Sequence, residues 1–495
     1  MAEDIYEQLR RALPEGMWKD ARDVAEKINN ASNVEIATHI DADGISAAAI
    51  AATALERAKK DFKIRYFKKL DDEAVSTLAN DEADVVWFTD LGSGSISRIE
   101  GMDAVVTDHH MPDPKICSRS KGGQTSLSDF STVSHLNPQV HGISGANDLS
   151  GAGSTFVAAL AADSQNIDLS WLAVLGAVGD LQDQRSRRLE GLNRSILSAA
   201  EHLGLVEATT DIRYFGRETR PLHKLLEFSS DPFLPRISGN DQAARSFLLE
   251  LGIELKDGER WRSWTDLGSD ERERITEALQ DHLRSCKRTK FTIDRLIGEV
   301  YTFRREQKGT SVRDAKEFAT LLNACGRHGK AEVGLRICRG DRGDALSQGA
   351  VLLRDHRSAI SKALAWAKGS GIVRMKNIQF FEAGDEIEDT IVGTVAGMLL
   401  GSEGADRTVP MIAFAESTEY SAEPKSKASG RGTQELVARG MDLSVALRTA
   451  AERVGGVGGG HSIAAGATIP ADKKKEFLKD LDDLVGVQLI KKAPR

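Results

Sequence analysis

The chain has 495 residues and a formal net charge of −8, with 40% hydrophobic and 28% charged residues. This length exceeds one domain of roughly 100–200 residues, so two or three domains are expected. The composition excludes a wholly disordered chain and a collagen-like chain. Because acidic residues outnumber basic ones, the surface as a whole is not a polycation, and any nucleic-acid contact must be a local basic patch.

The cysteines and the first residues indicate the compartment. The four cysteines are far apart and form no C-x-x-C pair: Cys117, Cys286, Cys325 and Cys338. This spacing predicts neither a disulfide framework nor a structural zinc site. The first residues are charged and amphipathic, and no run of 18 apolar residues occurs. We therefore expect a cytoplasmic protein that is not exported and does not span a membrane.

The segment from Val34 to His135 repeats one pattern, in which a short apolar run is followed by small or acidic residues and a helix-compatible stretch. The runs predict strands at 34–38, 63–67, 84–89, 103–107 and 132–135. Such alternation is typical of βαβ units around a mostly parallel sheet covered by helices. Ala- and Leu-rich segments at 152–162 and 170–179 predict helices of the same domain. We assign this domain, with its N-terminal helix, to residues 1–185.

The rest of the chain is predicted as a helical connector over 186–312 and a smaller α/β domain over 313–495. Charged, leucine-bearing stretches with turn signals at prolines favour helices in the connector. In the last domain, strands are expected at 331–338, 372–381 and 409–415, with helices near 353–368 and 391–400. The segments 421–432, rich in Ser, Lys and Gly, and 454–466, rich in Gly, predict loops.

Acidic and histidine side chains follow three predicted strands and end one predicted helix. They are His39, Asp41 and Asp43 after the first strand, Asp90 after the third, Asp108, His109 and His110 after the fourth, and Asp180 after the helix at 170–179. The carboxyl ends of strands form the ligand crevice of an open α/β sheet, so these side chains should converge. Five carboxylates in one crevice would repel one another unless cations were present. The pattern therefore predicts a metal site.

The ligand types narrow the choice of metal. Carboxylate oxygens with a few imidazoles and no thiolates suit Mn²⁺ or Mg²⁺, and Co²⁺ or Zn²⁺ stay open as substitutes. Two ions about 3.5–4 Å apart that share a carboxylate are an arrangement used to hydrolyse phosphoesters. Taken singly, each aspartate could be a helix cap and each histidine a core residue. The joint occurrence of H-x-D-x-D and D-H-H argues for the metal site.

A second candidate site is the glycine-rich segment GGVGGGHSIAAG. Consecutive glycines let backbone N–H groups approach an anion, and His461 or Arg431 could add charge-assisted hydrogen bonds to a phosphate. On its own, the segment is better explained as a flexible glycine-rich turn. Its interpretation as a phosphate site therefore depends on the metal crevice.

Six motifs occur in a fixed order along the chain. They are H-I-D-A-D-G at 39–44, the aspartate at 90, D-H-H at 108–110, G-D at 179–180, S-G-R at 429–431 and G-G-G-H at 458–461. In this order they resemble the DHH phosphoesterase superfamily with its C-terminal DHHA1 domain. The stretches RDAKEFATLLNACGRHGKAEVGL and KASGRGTQELVARGMDLSVAL resemble the archaeal RecJ-like nucleases, including the GINS-associated nuclease. The resemblance covers nearly the whole chain.

The resemblance implies roles for individual residues. One metal would be held by His39, Asp41 and Asp90, and the other by Asp43, Asp90, His109 and Asp180, so that Asp90 bridges the two ions. His110 would lie near the scissile phosphate, with Asp108 as its orienting group or as an additional ligand. The substrate phosphate would be gripped in the DHHA1 domain by Arg431, Gly459, Gly460 and His461, with help from Ser429.

The function expected from this resemblance is that of a two-metal phosphodiesterase acting in DNA replication or repair. The leading hypothesis is a single-strand DNA or RNA exonuclease that releases nucleoside monophosphates and uses Mn²⁺, with Mg²⁺ or Co²⁺ as substitutes. Two alternatives stay open, an enzyme for short oligoribonucleotides or phosphonucleotides and a replisome scaffold bound to the GINS complex. The eukaryotic replicative-helicase subunit of this superfamily has lost several metal ligands, whereas this sequence retains all of them, which favours activity. The region after Gly466 is too short for the OB-fold of bacterial RecJ.

Overall fold

The computed structural model describes residues 2–79, 82–113, 133–402, 405–417 and 424–490. The chain divides into two compact units. The first lies within Met1–Leu225, Leu251–Gln280 and Thr289–Leu353, and the second within Leu226–Glu250, Asp281–Arg288 and Arg354–Arg495. Both units are α/β, which confirms the predicted fold class. The predicted boundaries after residues 185 and 312 stay a prediction, and Cys117 lies outside the described residues.

The first unit is built on five parallel strands in the order β2-β1-β3-β4-β5. They are β1 (Asn33–His39), β2 (Asp61–Phe67), β3 (Val85–Thr89), β4 (Ala104–Thr107) and β5 (Val133–Leu136). Every residue of β3 and β4 is buried, as expected of strands covered on both faces. The strand order reverses between β1 and β3, which is the place where open sheets bind ligands. The strands predicted from the apolar runs are confirmed to within a few residues, although residue 132 lies outside the described part.

The helices of this sheet domain pack closely because their contact faces are built from small residues. They are α1 (Ala2–Ala12), α2 (Glu15–Asn30), α3 (Ala42–Arg57), α4 (Asp72–Ala79), α5 (Ile96–Ile99), α6 (Gly151–Ala162), α7 (Ser170–Gly179) and α8 (Gly191–His202). Helices α3, α6 and α7 are rich in Ala and Gly, almost wholly buried, and packed on one another. Side chains of this size let helix axes approach closely. The predictions of helices at 152–162 and 170–179 are confirmed.

The middle of the chain is mainly helical but also contains strands that the sequence reading did not predict. Its helices are α9 (Leu222–Glu227), α10 (Asp241–Glu250), α11 (Ser269–Ser285) and α12 (Lys290–Asp294). Its strands form an antiparallel ribbon, β6 (Val206–Ile212) with β9 (Ile297–Phe303), and a small hairpin, β7 (Lys256–Asp257) with β8 (Arg260–Trp261). The polar sequence of β6 hid the ribbon, whereas Tyr301 and Phe303 of β9 are buried in the core.

Three helices follow β9, and one of them corrects a predicted strand. They are α13 (Ala315–Arg327), α14 (Ala331–Cys338) and α15 (Asp344–Ser370). The prediction of a strand at 331–338 is wrong. Val333, Leu335 and Ile337 alternate as they would in a strand, but Gly334 and Cys338 are buried as well. Glu332 and Arg336 are less buried and lie four residues apart on one helix face, so this short segment fits both periods and periodicity alone did not separate helix from strand.

The second unit contains a six-stranded sheet in the order β10-β11-β12-β13-β15-β14. Its strands are β10 (Val373–Arg374), β11 (Gln379–Glu382), β12 (Met411–Glu416), β13 (Lys425–Arg431), β14 (Val457–Gly460) and β15 (Ala464–Pro470). Its helices after α15 are α16 (Val392–Leu400), α17 (Gln434–Ala438), α18 (Leu443–Arg453) and α19 (Lys474–Ile490). Helix α16 packs on β12 and β13, whereas α18 packs on β14 and β15 from the opposite face and contacts α19.

Most of the described part of the loop predicted at 421–432, and residues 457–460 and 464–466 of the loop predicted at 454–466, are strands of this sheet, so both predictions are wrong there, and residues 421–423 lie outside the described part. Residues 425–431 form β13, which is paired on both sides, and the Gly-rich segment supplies β14 and the start of β15. In β13, the side chains that face α18 are small, namely Ser426, Ala428 and Gly430. An added Cβ on Gly430 would lie 2.7 Å from Leu447 of α18, so the close packing requires glycine here. Strand β13 alternates small residues that face α18 with polar residues on the other face. This central strand therefore has the amino-acid composition of a loop.

Among the described residues, no helix combines the length and the apolar character that crossing a membrane requires.

The placement of β13 is tested by opposite substitutions on its two faces. Ala428 is fully buried against α18 and α19, so Ala428→Asp places an unpaired charge in the core. We expect it to abolish the cooperative thermal unfolding of the second unit. Lys427→Ala, on the other face, should change stability by no more than about 0.5 kcal/mol. Equal tolerance of both changes by circular dichroism would contradict a buried central strand.

Candidate metal centre

The predicted ligands of the first unit converge at the carboxyl ends of β1, β3 and β4. Two groups have ligand atoms that all lie within 4.8 Å of one another, namely His39, Asp41 and Asp90, and Asp43, His109 and Asp180. A third group of this kind consists of Asp90, Asp108, His109 and His110. All eight side chains that the sequence singled out therefore meet in one place. Their individual roles as ligands stay a prediction.

Asp90 lies between the first two groups. It directly follows β3, is 1% exposed, and has a left-handed φ of 58°. Its Oδ2 lies 3.6 Å from His39 Nδ1, and its Oδ1 lies 3.3 Å from His109 Nε2. Neither oxygen accepts a hydrogen bond from any described residue. A buried carboxylate without hydrogen bonds is costly, and a cation on each side of Asp90 would remove that cost.

The loop after β1 holds His39 and Asp41 through backbone geometry. Asp41 caps α3 by accepting a hydrogen bond from Gly44 N at 3.0 Å, and its Oδ2 lies 3.0 Å from His39 Nδ1. An added Cβ on Gly44 would overlap the His39 carbonyl, so this turn needs glycine. From α13, Asn323 Oδ1 accepts a hydrogen bond from Ala42 N at 3.0 Å. Two capping interactions therefore fix the first turn of α3 beside the site.

The other group is anchored by the first turn of α6. Asp43 accepts hydrogen bonds from Gly151 N at 2.7 Å and Ala152 N at 3.0 Å. His109 Nδ1 lies against the Gly145 carbonyl, which can only accept, so a neutral His109 carries its hydrogen on Nδ1. Its Nε2 lone pair then faces Asp90 and lies 3.7 Å from Asp43 Oδ2. This is the tautomer that a metal-binding histidine requires.

The crowding of carboxylates shifts the pKa values of the residues in the site. Burial, and then the charge of Asp90, raise the pKa of Asp43 well above its ordinary value. Burial opposes protonation of His109, but Asp180 and Asp90 outweigh it and raise the pKa of His109. Asp41 likewise outweighs burial and raises the pKa of His39. Bound divalent ions would supply the positive charge that this cluster of carboxylates favours.

His110 and Asp108 form a separate pair at the rim of the site. His110 Nδ1 lies 2.8 Å from Asp108 Oδ1, and the His110 side chain is 44% exposed. Asp108 also accepts hydrogen bonds from the backbone N–H groups of Ser93, His109 and His110. Both oxygens of Asp108 are occupied, which favours the orienting role over that of an additional ligand. The Asp108 carboxylate therefore orients the His110 ring through its Nδ1 atom.

Several residues that support the site carried no signal that we used in the sequence. Gln182 is buried and donates to Gly145 O at 2.8 Å and to Asp180 Oδ2 at 2.9 Å, and Asn193 donates to Gln182 Oε1 at 2.6 Å. Arg327 ends α13 and interacts electrostatically with Asp41. Burial lowers the pKa of Arg327 although Asp41 opposes that shift. The motif N-A-C-G-R could have indicated Asn323 and Arg327, because a polar residue and a cation flank its glycine.

In the second unit, the predicted phosphate-binding residues come together at one end of the sheet. Arg431 ends β13 and Gly460 ends β14, and both strands are antiparallel to β15, which lies between them. The register aligns Ser429 with Gly466 and Gly466 with Gly459, so these three residues form one row. The His461 N–H donates to Ala464 O at 2.8 Å in the turn that follows β14. The binding roles of these residues stay a prediction.

Two regions of the chain match the profiles of known protein domains. The profile of the DHH-CID domain matches residues 214–297, and the profile of the DHHA1 domain matches residues 375–486. The chain therefore contains regions that match the DHH-CID and DHHA1 domains, which supports the resemblance to the DHH/DHHA1 superfamily. An uncharacterized protein of Methanocaldococcus jannaschii is 28% identical over 477 residues, which cover 95% of this chain and 98% of the relative. The DHH-CID match falls within the region predicted only as a helical connector.

Solved structures show that the chain has a RecJ-like fold. Manganese-bound RecJ from Thermus thermophilus is similar at 16% identity with a TM-score of 0.56, and the match covers 96% of this chain but 55% of that RecJ. A manganese-bound exonuclease RecJ matches at 16% identity and a TM-score of 0.53, with 97% and 98% coverage. CDC45 from Entamoeba histolytica matches at 11% identity and a TM-score of 0.59, with 95% and 98% coverage.

If Asp90 binds a cation, removal of its charge should affect the stability of the protein in opposite directions without and with metal. Asn tolerates the left-handed backbone of this position, so Asp90→Asn removes the charge with little change of shape. In EDTA we expect it to stabilise the chain by about 1 kcal/mol, because like-charge repulsion is relieved. Excess Mn²⁺ should raise the unfolding temperature of the wild type far more than that of the variant.

The matched control is Asp72→Asn, which changes a side chain that is 94% exposed. It should behave like the wild type under both conditions. An Asp90→Asn variant that is destabilised in EDTA, or that responds to Mn²⁺ like the wild type, would contradict the assignment.

Glycine at position 151 makes room for Asp90. An added Cβ would overlap Asp90 Oδ1 and crowd the rest of its carboxyl group. We expect Gly151→Ala to displace Asp90 and weaken Mn²⁺ binding by roughly 10-fold or more, as measured by titration calorimetry. The control is Gly369→Ala in α15, where an added Cβ meets nothing within 4 Å. If both variants bound Mn²⁺ like the wild type, the close contact between Gly151 and Asp90 would be refuted.

Proposed function

We propose that this protein is a metal-dependent phosphodiesterase that degrades single-stranded nucleic acid from an end and releases nucleoside monophosphates. The observation that carries this proposal is the position of Asp90. Its two oxygens face separate ligand groups, and neither accepts a hydrogen bond from a described residue. We assign His39, Asp41 and Asp90 to one ion and Asp43, Asp90, His109 and Asp180 to the other. Bound divalent ions would polarise the phosphoryl oxygens and supply a nucleophile at neutral pH.

The donor set supports Mn²⁺ as the ion, with Mg²⁺ and Co²⁺ as substitutes. It consists of carboxylate oxygens and imidazole nitrogens, and no cysteine belongs to it. The similar RecJ structures include one described as a complex with Mn²⁺ and another as a complex with Mg²⁺. The identity of the ion for this chain belongs to the proposal.

The chain's own residues would hold and polarise the substrate. Asp108 fixes the His110 ring through Nδ1, so that Nε2 can donate a hydrogen bond to a phosphate oxygen as charge develops on it. In the second unit, Arg431 offers a planar guanidinium for two parallel hydrogen bonds to phosphate. Gly459, Gly460 and His461 would present backbone N–H groups and an imidazole to the same strand, with Ser429 beside them.

Two other functions remain as competitors. The same catalytic groups would serve an enzyme for oligoribonucleotides of a few residues or for phosphonucleotides. A scaffold in the replisome, bound to GINS, would need the fold without the ligands. The convergence of the ligand set favours catalysis, and a role in DNA replication or repair with GINS as a partner remains part of the proposal.

End-labelled substrates separate these functions. We expect the full-length protein with Mn²⁺ to convert a single strand of about 30 nucleotides to mononucleotides, visible as a ladder from one end. Asp90→Ala and His109→Ala should lower the rate at least about 1,000-fold, since each removes a ligand. Asp72→Asn should retain the wild-type rate. Undiminished activity in either ligand variant would refute the proposal, whereas cleavage of dinucleotides but not of long strands would favour the short-substrate enzyme.

A further inference from the structure

Strand β13 carries a row of polar side chains on the sheet face opposite α18, in which Lys425 is exposed, Lys427 and Arg431 are half-buried and Ser429 is buried. Because side chains alternate along a strand, Lys425, Lys427, Ser429 and Arg431 share this face. Their partners in β12 show which face it is, since Ser429 pairs with Ala413 and Arg431 with Met411, and α16 packs on these β12 residues. Three of the four side chains in this row are cationic, and they lie on one strand.

The two strands next to this row carry mostly small side chains. On the same face, β15 contributes Ala464, Gly466 and Thr468, and β14 contributes Val457 and Gly459. An added Cβ on Gly459 would meet nothing within 4 Å, and Val457 is 77% exposed. A Cβ on Gly466 would lie 3.7 Å from Lys427 Nζ. Lys427 therefore extends over β15 towards the open glycine surface.

We propose that Lys425 and Lys427 bind successive backbone phosphates of a single-stranded nucleic acid, which extends the Arg431 and His461 phosphate site along β13. This inference rests on the proposed function and specifies its substrate as a strand of several nucleotides. From residue 425 to residue 431 the row is about 20 Å long at ~3.3 Å per residue. A stacked strand rises ~3.4 Å per nucleotide along its axis, so a row of this length spans the phosphates of several nucleotides.

The shape of this surface suits a flexible single strand. Alanine and glycine leave space for sugars and bases beside the row of charges, and the exposed Val457 offers an apolar contact to a base. The two lysines are point charges on flexible stems, so they would bind phosphates without reading sequence. A dinucleotide held at Arg431 and His461 is too short to reach Lys425, whereas a longer strand reaches both lysines.

The test compares Lys425→Ala/Lys427→Ala with Lys475→Ala/Lys479→Ala in the full-length protein. Lys475 and Lys479 are exposed on α19, which packs on the opposite side of the sheet. The control pair therefore removes the same charge from a surface away from the row. Binding of labelled 12-nucleotide DNA and RNA strands is measured by anisotropy in EDTA over a range of salt concentrations. Hydrolysis of the 12-nucleotide strand and of a dinucleotide is measured with Mn²⁺.

For the row variant, we expect the slope of log affinity against log salt to fall by about 1.4, or ~0.7 for each lost phosphate contact. Affinity at 0.1 M salt should fall roughly tenfold, and the ratio of kcat/KM for the 12-nucleotide strand over the dinucleotide should fall with it. A row variant that matches the control pair in slope and in this ratio would overturn the inference. Wild-type binding with the expected slope but without hydrolysis would refute the phosphodiesterase and leave the row intact. A larger effect on RNA or on DNA would identify the preferred strand.

Discussion

The buried carboxylate of Asp90 determines how the candidate metal centre is built. It is buried, accepts no hydrogen bond from the described residues, and lies among four other aspartates. Such a group is tolerable only with compensating positive charge. The surrounding structure is arranged to hold it there, because Gly151 leaves space for its oxygen and Gly176 leaves space for the neighbouring Asp43. The small residues of α3, α6 and α7 therefore serve the site as well as the packing of the helices.

The topology of the first sheet explains why ligands so distant in sequence meet. Strands β1 and β3 are neighbours at the point where strand order reverses, so the residues that follow them face one crevice. Residue 39 ends β1 and residue 90 follows β3, while the D-H-H motif follows β4. The second unit contributes a different kind of surface, a sheet face with cations on β13 and glycine beside it. The proposed function assigns phosphate hydrolysis to the first unit and binding of the polymer to the second.

The sequence predicted the first sheet and the ligand set because both have strong local signals. Buried parallel strands are continuous apolar runs. The patterns H-x-D-x-D and D-H-H, taken together, are better explained by a metal site than by helix caps and core histidines. The prediction failed at β13 and β14, where the residues that face α18 are Ser, Ala and Gly, and at α14, whose short apolar run fits both the strand and the helix period. Gln182 and Asn193 could not be predicted, because their roles arise from hydrogen bonds between segments that only the folded chain brings together.

Two divalent ions are proposed to bind on either side of Asp90. The most direct measurement is anomalous diffraction from crystals of the full-length protein grown with Mn²⁺. We expect two peaks about 3.5–4 Å apart, one beside the His39 and Asp41 group and one beside the Asp43, His109 and Asp180 group. No peak at Asp90, or a single ion bound elsewhere in the first unit, would contradict it.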